Sequence, residues 1–99
     1  MIIEYLPERG LHLRDAFDLD KLKLVFKAEA TVGSPSLRGI VIVDRDNALV
    51  PIDLIPVLPG RPDDKSWETA YRKMIASAAA LNWIDADANA IRVHIERTF

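Results

Sequence analysis

No cysteine occurs anywhere in the 99 residues, which removes a good deal of chemistry at once. Disulfides, thiolate zinc sites, iron–sulfur clusters and cysteine nucleophiles are all excluded. A cysteine-free chain suits a reducing compartment, and the expected location is the cytoplasm. The opening stretch, MIIEYLPERG, meets a charge at Glu4 and has no long apolar region, so it does not read as a signal peptide. No apolar run approaches the roughly 20 residues of a membrane span.

Charge of one sign is also missing. The net charge is −2, with seven basic and eight acidic side chains in residues 1–50 and six and seven in residues 51–99. Nucleic-acid binders draw most of their affinity from phosphate neutralisation by a basic excess or stripe, so a nucleic-acid partner is not expected. Ser34, Ser36, Ser66 and Ser77 sit in no glycine-flanked elbow, and no phosphate loop or dinucleotide fingerprint occurs. Pro59-Gly60-Arg61 precedes a helix start, a place that attracts anions. Asp63 and Asp64 already occupy that positive end, so Gly60 reads as a turn residue.

What is present describes a globular protein, with 49% hydrophobic and 28% charged residues in one domain spanning 1–99. The clearest element is a helix over about 63–82. Trp67, Tyr71, Met74, Ile75, Ala78 and Leu81 recur at the offsets of three and four that one helical face requires. Asp63 or Asp64 can cap its start, Glu68 and Arg72 form an i,i+4 pair, and Asn82 can take the left-handed conformation that closes it.

Strands are read at Ile2–Leu6 and Lys21–Lys27, with a helix from Asp18 to Glu29 as the alternative for the second; Leu11–Arg14 between them alternates but is short. Lysines on one face of Lys21–Lys27 suit an exposed, unpaired strand. Asp15–Asp20 is either a helical turn or a loop carrying Phe17 and Leu19 into the core. Gly33–Ser36 reads as a loop. Ile40–Val43 is a continuous β-branched run, as in a strand covered on both faces, and Asp44–Asn47 turns it back through Ala48–Ile52 as a hairpin. Pro51 places the returning strand at an edge or ends it. Asp53–Gly60, interrupted by Pro56 and Pro59, is an irregular segment on the core. Ile91, Val93 and Ile95 alternate with Arg92, His94 and Glu96 in a final strand over about 90–96. The expected fold is α+β: a mainly antiparallel sheet of about four to five strands covered by one dominant helix.

Candidate sites follow from residue type and spacing. Asp85, Asp87, Asn89 and Glu96 stand at the first, third, fifth and twelfth places of a calcium loop. Ala90 replaces the turn glycine, however, and too little chain follows for an exiting helix, so an aspartate-rich turn is the plainer reading. His94 and Glu96 share a strand face, and with Arg92 an anionic ligand is conceivable; a solvated face looks the same. His12, among apolar neighbours, is a ligand candidate or a half-buried core histidine. Trp67 and Tyr71 either line a pocket or fill the core. Ala76, Ala79 and Ala80 leave one helix side free for close approach by another backbone, either elsewhere in this chain or in a second subunit.

The leading expectation is a small non-catalytic interaction or assembly domain, homo-oligomeric and without a cofactor. The rival is an enzyme or ligand-binding protein with a site between helix and sheet, formed by His12, His94, Arg92 and Tyr71. Calcium binding at the Asp85 loop is the third.

Overall fold

A computed structural model describes residues 1–6, 10–19, 22–26 and 38–97. In chain order the elements are β1 (Ile2–Leu6), β2 (Gly10–Arg14), β3 (Lys23–Phe26), β4 (Val41–Ile42), β5 (Asn47–Pro51), a 3-10 turn (Ile55–Val57), α1 (Lys65–Ala80), β6 (Ile84–Asp85) and β7 (Ala90–Arg97). The strands form one seven-stranded sheet in the order β2-β1-β3-β7-β5-β4, with β6 also paired to β7.

The sheet is mixed and larger than the sequence suggests. β3 runs parallel to both β1 and β7, while the remaining pairs are antiparallel. The chain leaves the β1–β2 hairpin, crosses back, and lays β3 alongside β1 instead of continuing a meander. β3 is therefore an inner strand with partners on both edges. That settles Lys23–Phe26 as strand and corrects the picture of an unpaired lysine-rich strand; Lys21, Lys27 and the Gly33–Ser36 loop lie outside the described residues.

Residues opposite one another in a ladder share a face, so register sorts the side chains. Leu11 and Leu13, Ile3, Leu24, Ile91, Val93 and Ile95, and Ala48 and Val50 lie on the inner face and are buried. His12, Arg14, Glu4, Lys23, Asn47, Arg92, His94 and Glu96 lie on the outer face. α1 closes the inner face with Trp67, Tyr71 and Ala78 buried. The Trp67 indole N–H donates to the Ala16 carbonyl at 2.7 Å, and the Tyr71 hydroxyl donates to the Ile52 carbonyl at 2.7 Å.

The helix ends follow the capping residues. Asp64 is the N-cap and accepts from the Ser66 N–H at 2.8 Å. Beyond the C-terminus Asn82 adopts φ 63°, the left-handed closure expected of it. Glu68 pairs with Arg61 ahead of the helix rather than with Arg72.

Three expectations about packing are overturned. Ile40 is buried, but Val41, Ile42 and Val43 are all exposed, because β4 is the last strand of the sheet and α1 does not extend over it. Ala16, and not Phe17, enters the core; Asp15 at φ 48° turns the chain so that Phe17 is 64% exposed. Leu81, the end of the helical stripe, is 57% exposed. Pro51 ends β5, so the missing N–H falls where the ladder stops.

Candidate functional site

β7 is wider in partners than a single strand usually is. One of its edges carries β5, paired from Ala90 to His94. The other edge is shared by two strands end to end: β6 at Ala90 and Ile91, and β3 from His94 onward. Between them, around Arg92 and Val93, lies a seam. The Arg92 N–H donates to the Trp83 carbonyl at 2.7 Å, which carries the β6 side one residue further before the chain turns up into α1.

A cleft of about 690 Å³ opens at this seam. Its floor is Ile91–His94; one wall is Leu19 and Leu22, leading into β3, and the other is Leu81 and Trp83, leading into β6. The C-terminal half of α1 roofs it with Lys73, Met74, Ser77 and Ala78. Register makes the cleft two-faced. Ile91 and Val93 belong to the inner face, whereas Arg92, His94, Asn47 and, by its pairing with Arg92, Trp83 belong to the outer one. An apolar inner part thus meets a polar outer mouth. Arg92 Nε donates to Asn47 Oδ1 over a long 3.4 Å, and among the described residues most of the guanidinium's five donors have no other partner. Trp83 is 52% exposed, an indole half in water at the mouth.

Of the ligand candidates read from sequence, the structure brings Arg92 and His94 together and separates the others. Tyr71 is core: burial, with the nearby Asp53 carboxylate, pushes its hydroxyl far above the ordinary range, and it serves the Ile52 carbonyl. His12 lies on β2, three strands from β7, where its Nε2 is 2.8 Å from Glu4 Oε1. Arg14 donates to the other oxygen of Glu4 at 2.6 Å.

Sequence reasoning missed Glu4, whose side chain is only 6% exposed. A signal existed: joining Ile2–Leu6 to Gly10–Arg14 through three residues sets residue 4 opposite residue 12. Burial pushes the Glu4 carboxyl up, but the hydrogen bond and charge of Arg14, followed by those of His12, outweigh it and hold the group below its usual range. A carboxylate with a lowered folded-state pKa adds stability above its unfolded value of roughly 4.3 and loses it as pH falls through the folded value. Glu4→Gln should therefore cost about 2 kcal/mol at pH 7 in urea unfolding, with the difference from wild type shrinking below roughly pH 4.3. A difference unchanged between pH 7 and pH 3 would remove this account.

The fold does not bring the four calcium-loop candidates together. Asp85, Asp87 and Asn89 form the tight turn of the β6–β7 hairpin, where Asp85 Oδ1 accepts from the Ala88 N–H at 3.1 Å and Asn89 donates to Asp53 at 3.1 Å. Glu96 stands along β7, seven residues beyond Asn89 and so roughly 23 Å away at strand rise, and it pairs with Lys23 at 2.7 Å. The cause is the strand alternation that extends β7 through Glu96. Among the described residues no group of three or more acidic or histidine side chains converges to hold a metal. Ala76, Ala79 and Ala80 are exposed on the helix side facing away from the sheet. Among the described residues no helix is long and apolar enough to cross a membrane.

Together these features define a small α+β domain with a mixed sheet, one covering helix, and an amphipathic cleft where two strands share an edge of a third. No protein-family model matches the chain, and neither a curated protein nor a solved structure matches it.

Proposed function

We propose that the protein is a non-catalytic binding domain whose ligand is a small molecule seated in the seam cleft. The observation that carries this reading is the apolar stripe of α1. Its first half, Trp67 and Tyr71, is consumed by the core, whereas Met74 is half-buried, Leu81 is 57% exposed, and both line the cleft. Apolar surface left in a concavity, beside a few polar groups and within the roughly 300–1,000 Å³ of ordinary ligand sites, is what small-molecule recognition uses. Binding of a neutral environment-sensitive dye such as Nile red tests it. Fluorescence should rise with one-to-one stoichiometry and fall at least tenfold in Ser77→Trp, since that exposed helix position lines the cleft and a bulky ring there fills it. No dye binding, or binding indifferent to Ser77→Trp, would sink the reading.

A second reading, homo-oligomeric assembly, draws on a different observation. Val41 and Ile42 on the outermost strand β4, and Val43 just after it, are 57%, 40% and 49% exposed, and Ala76, Ala79 and Ala80 add a small-residue surface on α1. Exposed apolar edge strands are templates for pairing with another chain. Sedimentation velocity at high micromolar concentration should then give a dimer that Ile42→Lys or Ala79→Glu dissociates; a monomer there ends this reading.

A further inference from the structure

We infer that the cleft selects an amphipathic carboxylate, with an aliphatic chain against the inner wall and the carboxylate at Arg92 and His94 in the mouth; the inference rests on the cleft being a ligand site. Three observations support this choice of ligand. The first is charge. Among the described residues the lining contains Lys73, Arg92 and His94 and no aspartate or glutamate, although the chain as a whole carries a net charge of −2. Two cations, Lys73 and Arg92, thus border the cleft with a histidine and with no described carboxylate among them. An anion loses little by leaving water for a site already furnished with donors, whereas a cation there meets like charge.

The second is polarity along the cleft. Leu22, Met74, Ala78, Leu81, Ile91 and Val93 present apolar side chains, and, apart from Lys73 and Ser77 on α1, the polar groups Asn47, Arg92 and His94 sit at the outer end. The segregation matches a molecule with a chain at one end and a charged head at the other. The third is the helix. The C-terminal end of α1 borders the apolar part, and its carbonyls carry the negative end of the helix dipole. An anionic head placed there would be repelled, so the orientation is fixed with the chain under α1 and the head toward Arg92. A planar carboxylate can take two parallel N–H donors from one guanidinium, and among the described residues the Arg92 guanidinium has only the long bond to Asn47.

The nearby carboxylates define the competition. Glu96, next on the same face, is engaged with Lys23. Asp44 does not line the cleft, but its own carboxyl is held below the usual range by the Asp46 N–H and the Asn47 side chain, with Arg92 a weaker contributor. Asp44 therefore draws on the field of Arg92 and weakens anion binding, which gives the proposal a variant of opposite sign.

Isothermal titration of the full chain with octanoate, octanol and octylammonium separates head from tail. Octanoate should bind about tenfold tighter than octanol, the worth of one charge-assisted pair, and octylammonium more weakly than either. Arg92→Gln should bring octanoate to the octanol level while leaving octanol unchanged; Lys73→Gln, on an exposed helix position, should reduce the preference in part; Asp44→Asn should increase it. Octanol binding as tightly as octanoate would overturn the carboxylate inference and leave the cleft reading intact. Octanoate binding that survives Ser77→Trp would overturn the inference too, since the anion would then sit elsewhere. No binding of any of the three up to millimolar concentration would overturn both.

Discussion

Replacing Trp67 with alanine is expected to lower the unfolding free energy by about 3–5 kcal/mol, the range for deleting a buried aromatic from a close-packed core. Trp67 is 1% exposed and is among the largest fully buried side chains described. Its ring stacks on Tyr71 with centroids 5.3 Å apart and planes at 12°, and the Arg61 guanidinium covers it at 5.6 Å. Its indole N–H reaches 2.7 Å to the Ala16 carbonyl in the turn that follows β2. One side chain in the first turns of α1 thereby ties the helix to the sheet and to the turn after β2. Alanine removes the packing and also leaves that carbonyl without its partner in a buried place, a further cost of order 1–3 kcal/mol where water does not enter. Against a total of roughly 5–15 kcal/mol for a domain of this size, that is a large share, and the melting temperature should drop by about 15 °C or more. Trp67→Phe helps to separate the two contributions, since it keeps much of the ring volume while losing the donor and one of the two fused rings. It should recover more than half of the loss. A Trp67→Ala variant melting within 5 °C of wild type, about the equivalent of 1 kcal/mol, would contradict the placement of this ring at the centre of the core.

How much of this was legible in the sequence depends on the range of the interaction. Elements specified by neighbours in the chain were readable. Asp64 and Asn82 mark the ends of α1 because caps act within one turn, and Ile91, Val93 and Ile95 mark β7 because alternation is local. The order of strands was not readable, because a parallel pair such as β1–β3 is joined through a hairpin and a crossing that leave no periodic trace. Nor was the exposure of Val41–Val43 readable, since the run resembles a strand covered on both faces and only its place at the sheet edge uncovers it. The site divides the same way. Arg92 and His94 could be assigned to one strand face from their spacing. Their meeting with Lys73 and Trp83 requires β3 and β6 to stop short of one another on the same edge of β7. The opposite failure is His12, whose partner Glu4 lies in the adjacent strand at a register that the hairpin itself dictates.

Gly60→Ala is the second substitution expected to be severe, at about 3 kcal/mol or more, and for a reason that involves backbone only. Gly60 has φ 92°, a conformation that costs an ordinary L-residue roughly 1–2 kcal/mol. A Cβ at this position would also lie 2.3 Å from the Leu13 carbonyl oxygen, which is backbone and cannot rotate away. The approach exists because the Leu13 N–H donates to the Pro59 carbonyl at 2.7 Å. β2 is the outermost strand on its side of the sheet, and this contact covers its free edge with the segment that leads into α1. Pushing Gly60 away therefore strains one residue, opens the edge of β2 and shifts the entry to the helix that carries Trp67. Gly10 supplies the control: its φ of 74° imposes a comparable backbone penalty, but nothing lies within 4 Å of an added Cβ. Gly10→Ala should cost only about 1–2 kcal/mol, and the excess in Gly60→Ala measures the close approach by itself. Hydrogen exchange localises it further, since the Leu13 amide should lose protection in Gly60→Ala and keep it in Gly10→Ala. Equal destabilisation by the two variants would show that the Pro59–Gly60 segment does not dock on β2.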